Sequence, residues 1–325
     1  MEETAANQIP LPEDHYSEIM QKTVKPALAA CRKEFFLERI PGRKLYVEQF
    51  TPAHPKSVLI LSHGFTESAL KFHELAWYFY QKDYAVIIPD HAGHGKSFRL
   101  VQDPSLVHID HWQTYRDDFC ALIDQTAEKF PGLPLIVLGH SMGGAIAAVS
   151  VEERAASIRK LILSSPMILP LTGSMPVPAA RLLGVWMKLS GQYTKPLPGY
   201  HPYDGTYTFE ESNTQSRARF DYYQNLQNGN REIQTDGGTY GWAAESLKMD
   251  ARLMKNAAKL TMPVLLLQAE LDQTVSLPAQ NQFIRRVPSG RLISYPAKHE
   301  IYREKNEILQ NYLRDVFRFL EEIGH

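Results

Sequence analysis

The feature that most narrows the fold of this 325-residue chain is a series of six short, apolar-rich runs spaced along it. They run from Val58 to Leu61, Tyr84 to Ile88, Leu135 to Leu138, Lys160 to Leu163, Val264 to Leu267 and Leu292 to Tyr295. Runs this short, without strict polar alternation, suit strands buried on both faces, which is the condition of a parallel sheet. Stretches of helical length separate most of them, such as Asp110 to Phe130 and Ala145 to Arg154. Strands alternating with helices imply right-handed βαβ crossovers, hence an α/β fold with a mostly parallel central sheet flanked by helices. Upstream, Phe35 to Ile40 and Lys44 to Phe50 flank Pro41-Gly42 and read as a hairpin.

One interval breaks this rhythm. From about Met167 to Tyr240 no strand-like run occurs, and the stretch is too long for a plain loop. It is expected to form a helical lid inserted between two sheet strands. The expected division is therefore a first core segment at 1–166, with an N-terminal extension at 1–34, a lid at 167–240, and a second core segment at 241–325. A net charge of −1 argues against a nucleic-acid partner, which would require an excess of Lys and Arg. Cys31 and Cys120, the two cysteines, share no CxxC spacing and read as reduced thiols. The first thirty residues lack the basic start and apolar run of a secretory signal, and no stretch has the ~20 apolar residues of a membrane span. A cytoplasmic location is expected.

Gly139-His140-Ser141-Met142-Gly143 matches G-x-S-x-G, and its context matters more than the match. It follows a buried strand and opens a small-residue helix, the setting in which a sharp turn exposes a serine above the sheet. A serine hydroxyl needs an adjacent base, itself held by a carboxylate. Partners placed after later strands would be Asp272, following Val264 to Leu267, and His299, following Leu292 to Tyr295. Glu270 is a rival acid two residues earlier. The loop His63-Gly64-Phe65 follows the strand from Val58 to Leu61, so the backbone amides of Phe65 and Met142 are candidates for an oxyanion hole. His63 itself reads as a loop brace. Asp90-His91-Ala92-Gly93-His94-Gly95-Lys96-Ser97 lacks the spacing of a phosphate-binding loop and a third zinc ligand, so it also reads as structural.

Taken together, His63-Gly64-Phe65, the Asp90-to-Ser97 loop, Gly139 to Gly143, Asp272 and His299-Glu300 resemble the lysophospholipase and monoacylglycerol lipase branch of the α/β-hydrolases. The resemblance covers about Phe35 to Phe319. Ser216-Arg217-Ala218-Arg219-Phe220 and Gly237-Gly238-Thr239-Tyr240-Gly241-Trp242 are similar to stretches of bacterial lysophospholipases. One departure is Ala92, where family members usually carry Arg. The resemblance implies the α/β-hydrolase fold, no cofactor, and cleavage of single-chain acyl glycerides or lysophospholipids. The large apolar residues of the lid, Leu169 and Trp186 among them, could line an acyl channel or meet a lipid surface, giving peripheral membrane contact. Arg217 and Arg219 could hold a phosphate headgroup. Two rivals keep the same three residues: an aminopeptidase, for which Glu210, Glu211 and Asp221 could hold a free amine, and a thioesterase. A catalytically silent binding protein would be expected to lack one of the three.

Overall fold

A computed structural model describes residues 8–322. Among the described residues, ten strands are arranged as an eight-stranded sheet and a separate two-stranded one. In chain order they are β1 (Arg32–Ile40), β2 (Arg43–Phe50), β3 (Ser57–Ser62), β4 (Tyr84–Pro89), β5 (Leu106–Val107), β6 (Leu135–His140), β7 (Lys160–Ser164), β8 (Gly237–Gly238), β9 (Val264–Ala269) and β10 (Gly290–Tyr295). The main sheet has the order β1-β2-β4-β3-β6-β7-β9-β10. The pairs β1/β2 and β2/β4 are antiparallel, and every other pair is parallel. The hairpin expected at Pro41-Gly42 is β1–β2.

The helices are α1 (Tyr16–Ile19), α2 (Lys25–Cys31), α3 (His73–Tyr80), α4 (Gln113–Lys129), α5 (Met142–Val151), α6 (Val177–Leu189), α7 (Arg217–Asn228), α8 (Tyr240–Asn256), α9 (Leu277–Ile284) and α10 (Asn306–Glu321). Side chains alternate across a strand, so each wholly buried strand serves two cores. Val58, Ile60, Val137, Leu161, Leu163, Val264 and Leu266 face one core, which α4, α5, α8 and α9 cover. Leu59, Leu61, Ile136, Leu138, Ile162, Leu265 and Leu267 face the other, covered by α3 and α10. Each such side chain contributes about 1.5–3 kcal/mol through burial. A one-residue register slip would exchange the two faces, which is why the register is strongly specified.

Two regions differ from the expectation. The N-terminal stretch looks polar in sequence, yet Leu11, Tyr16, Ile19, Met20, Val24 and Leu28 are buried in the second core. Its apolar residues recur at helical spacing, and the chain lays α2 against α3 and α1 against α7. The interval between Met167 and Tyr240 does contain a strand, the two-residue β8, paired in parallel with β5. Two glycines carry no β signal of their own, so this pairing is set by the neighbouring chain. The helix that follows, α8, packs against α5 and belongs to the sheet's own cover.

Candidate active site

Ser141 sits between the end of β6 and the start of α5 with φ 52° and ψ −121°, a conformation that side chains rarely adopt. The flanking glycines explain how the turn is tolerated. A Cβ on Gly143 would lie 2.1 Å from the Ser62 carbonyl oxygen, and one on Gly139 would lie 2.5 Å from the Gly143 carbonyl oxygen. Both clashes are with backbone, so β3, β6 and α5 meet this closely only because no side chain intervenes. The result lifts the Ser141 side chain out of the strand line.

His299 and Asp272 reach this serine from two other strand ends. The Ser141 hydroxyl lies 2.8 Å from His299 Nε2, and His299 Nδ1 lies 2.6 Å from Asp272 Oδ2. With Nδ1–H donating to the carboxylate, Nε2 is left to accept the serine proton. The Asp272 loop is fixed by its other oxygen, which accepts the amides of Thr274 at 2.7 Å and Val275 at 3.2 Å. Burial opposes charge on Asp272, but the bond and charge of His299 together with these amides outweigh it and hold the pKa below the ordinary value. Asp272 is therefore ionised at neutral pH. The rival acid, Glu270, makes no such contact with His299.

The Phe65 loop is held on both sides. The Gly64 amide donates to Glu67 Oε2 at 2.5 Å, and the Thr66 amide donates to His94 Nε2 at 3.1 Å. These bonds orient the Gly64–Phe65–Thr66 backbone. Met142 is the first residue of α5, so its amide has no acceptor within the helix and adds the favourable field of a helix N-terminus. His63 accepts the His91 amide on Nε2 at 2.9 Å and donates from Nδ1 to the Gly64 carbonyl at 2.8 Å. Burial pushes the pKa values of His63, His91 and His94 down, so all three are neutral braces. The Asp90 carboxylate caps the same loop by accepting the amides of Ala69 and Lys96. Ala92 is buried, and its carbonyl accepts from His94 Nδ1 at 3.1 Å.

Two cavities border this region. An apolar one of about 630 Å³ is lined by Leu171, Met175, Leu183 and Leu197 together with Trp242 and Leu247. It meets the site through Trp242, whose ring stacks on Phe65 at 3.8 Å, and through Leu171, whose amide donates to the Thr274 carbonyl. A smaller, polar cavity of about 190 Å³ lies beside Thr66 and Glu300, with Lys71, Tyr203, Tyr207 and Arg303 on its walls.

Residues 53–306 match the hydrolase family described as serine aminopeptidase, S33. The chain belongs to this family. Similar proteins include a "Probable lysophospholipase L2" of Haemophilus influenzae, 30% identical over 82% of this chain and 84% of its own. The lysophospholipase L2 of Escherichia coli K12 is 29% identical, with 83% and 82% covered. A human monoglyceride lipase is 28% identical over 71% of each chain. Among solved structures, a soluble variant of the monoglyceride lipase of Saccharomyces cerevisiae, in complex with a substrate analog, superposes with a TM-score of 0.72 at 19% identity, covering 90% of this chain and 95% of its own. The chain is thus a hydrolase of the α/β-hydrolase fold, and the relatives just named are carboxylic ester hydrolases.

The four expected substrate contacts fare differently from the serine, acid and base. Arg219 is wholly buried, and its guanidinium is consumed inside the protein. It donates to Glu74 at 2.7 and 2.9 Å and to the Glu304 carbonyl at 3.1 Å, while Tyr16 and Tyr78 donate to the same Glu74. The headgroup role expected for Arg219 is therefore corrected: a buried carboxylate in α3 needed a cation, and α7 supplies it. Arg217 is exposed, and its Nε donates to both carboxylate oxygens of Asp221 one helical turn on. Neither Leu169 nor Trp186 lines the apolar cavity. Leu169 holds the Ser276 amide through its carbonyl, and Trp186 faces outward from α6.

Arg219→Met is expected to lower stability by about 3–5 kcal/mol, because Glu74 would be left buried without its cation. Denaturant unfolding measures this, with headgroup selectivity unchanged among the molecules that remain folded. Full stability combined with a selective loss of phospholipid turnover would instead restore the substrate role.

Proposed function

We propose that this protein hydrolyses the carboxylic ester of a single-chain lipid, a lysophospholipid or a monoacylglycerol, through an acyl-enzyme on Ser141. The observation that carries the reading is the Ser141–His299–Asp272 hydrogen-bonded chain, with an apolar cavity linked to it through the stack of Trp242 on Phe65. His299 Nε2 takes the Ser141 proton as Oγ bonds to the ester carbonyl carbon. The oxyanion is received by the amides of Phe65 and Met142. The bond from carbon to the glycerol oxygen then breaks, and His299 delivers its proton to that oxygen. Water attacks the acyl-enzyme with His299 again acting as base, releasing the fatty acid and restoring Ser141. Asp272 holds the tautomer and stabilises the imidazolium. No step calls for a cofactor.

In this reading, residues 167–240 act as a lid, the apolar cavity takes the acyl chain, and the polar cavity beside Glu300 takes the leaving group. A volume of about 630 Å³ falls within the ordinary range of ligand pockets. The outer face of α6 supports contact with lipid. Leu182, Val185, Trp186 and Leu189 recur at i, i+3, i+4 and i+7, yet all point outward, with Leu189 83% exposed. No helix among the described residues is long and apolar enough to cross a membrane, so such contact would be peripheral.

The family's description as serine aminopeptidase favours a second reading, cleavage of an aminoacyl amide by the same three residues. Against it, Asp221 is already paired with a cation, Arg217, and Glu211 holds the amide and hydroxyl of Thr208. Release of fatty acid from a lysophospholipid and a monoacylglycerol, and of amine from an aminoacyl amide, separates the readings. Fatty-acid release is expected, and cleavage of the amide alone would overturn the lipid assignment. Ala243→Phe, on the wall of the apolar cavity, is expected to lower kcat/KM for a sixteen-carbon ester at least about tenfold while sparing a four-carbon one. Equal activity on both chain lengths would remove that cavity from the acyl path.

A further inference from the structure

Four charged side chains lie together beside the candidate active site: Glu67, Glu300 and Arg303 are buried, and the Lys71 side chain between them is 9% exposed. Lys71 Nζ donates to Glu67 Oε1 at 2.9 Å and to Glu300 Oε1 at 2.6 Å. Glu67 also accepts the Gly64 amide and the Tyr302 hydroxyl, the latter at 2.9 Å. Glu300 is the residue after His299, and its second oxygen accepts from Arg303 Nη1 at 2.5 Å. The chain of contacts thus runs from the Phe65 loop, through Glu67, Lys71 and Glu300, to the loop that carries the base. Of the four, Lys71 is the residue whose side chain bonds both carboxylates. Burial disfavours its charge, but the two carboxylates outweigh this and raise its pKa, so the link stays charged at every working pH.

Buried ion pairs of this kind rarely add stability over apolar packing, because desolvation cancels most of the attraction. What they do supply is a fixed distance between two segments. The Phe65 amide and His299 arise from different strands, and both must be held to within a few tenths of an ångström about one reacting carbon.

We propose that Lys71 is a positioning residue that locks the oxyanion loop to the histidine loop, acting through Glu67 and Glu300. This rests on the acyl-enzyme reading of Ser141. It predicts an effect on turnover and not on binding of a substrate that has no polar headgroup.

The test compares wild type, Lys71→Met, Lys71→Arg and Ser141→Ala on p-nitrophenyl butyrate, with thermal unfolding of each. Lys71→Met is expected to lower kcat about 100-fold, the scale of losing an oxyanion donor, with KM within about threefold. Lys71→Arg keeps a cation between the carboxylates and is expected to recover most of kcat. If Lys71→Met does not fold, Glu67→Gln combined with Lys71→Met restores charge balance and leaves an oxygen for the Gly64 amide; kcat should again fall at nearly constant KM. A folded variant without the lysine but with wild-type kcat overturns the proposal, as does equal impairment of the Arg and Met variants. Activity retained in Ser141→Ala overturns the underlying mechanism instead, whatever the Lys71 variants do.

Discussion

Ser141→Ala is expected to lower kcat for ester hydrolysis on the order of 10⁵- to 10⁶-fold while leaving the folded structure intact. The size follows from the arrangement. The Ser141 hydroxyl is the group within 2.8 Å of His299 Nε2, and without it the imidazole has no nucleophile to deprotonate. What remains is the binding of substrate and the polarisation of its carbonyl, worth about 10³–10⁴ over water in enzymes of this design. Alanine fits the same backbone turn, because it carries the same Cβ that serine already holds at φ 52°, and the close approach allowed by Gly139 and Gly143 is unchanged. Thermal unfolding within a few degrees of wild type would therefore accompany the loss. Activity within tenfold of wild type would show that another group attacks the ester.

The second large effect is expected at Asp272. Asp272→Asn preserves shape but replaces an ionised acceptor with an amide that can present an N–H to His299 Nδ1. The imidazole would then adopt the opposite tautomer, with Nε2 protonated and unable to accept the serine proton. A fall in kcat of about 10⁴-fold is expected, with KM little changed. The depressed pKa of Asp272 adds a pH consequence. Its carboxylate is charged from neutral pH down to below the ordinary carboxylate range. The stabilisation it gives the folded state is present above the unfolded value and is lost as pH falls through the lower, folded one. Asp272→Asn should remove that acid-side contribution. A variant with full activity would shift the acid role to another carboxylate, with Glu270 the first to test.

The positions of Ser141, Asp272 and His299 were legible because each lies one to four residues past a strand whose end marks the rim of the sheet. A strand buried on both faces announces itself locally, so the short loop after it inherits a known position. The position of the Phe65 loop was legible for the same reason, following β3. The roles of Arg217 and Arg219 were not. In sequence, Ser216-Arg217-Ala218-Arg219 shows two arginines of equal appearance, but one is fully buried against Glu74, 145 residues away, and the other pairs with Asp221 on its own helix. Nothing within the segment distinguishes them, because the partner of Arg219 is chosen by how α7 lies on α3.

The N-terminal stretch illustrates the same limit. Its buried residues, from Leu11 to Leu28, are diluted among charged ones, and the surface they cover is built from strands and helices far along the chain. The outward apolar face of α6 was equally hidden, since periodicity gives the width of a stripe but not the direction in which it points.

The sequence by itself determined the layered α/β architecture, the strand ends past which Ser141, Asp272 and His299 lie, and the glycines that allow the close approach at Ser141. These depend on period, chain order and steric room within a few residues. Only the tertiary structure decided which charges are buried and with whom: Arg219 with Glu74, and Lys71 with Glu67 and with Glu300, 229 residues away. Desolvation makes a buried charge seek whatever partner the folded chain brings within reach, and that distance is a property of the packed layers, with no trace in the local order of residues.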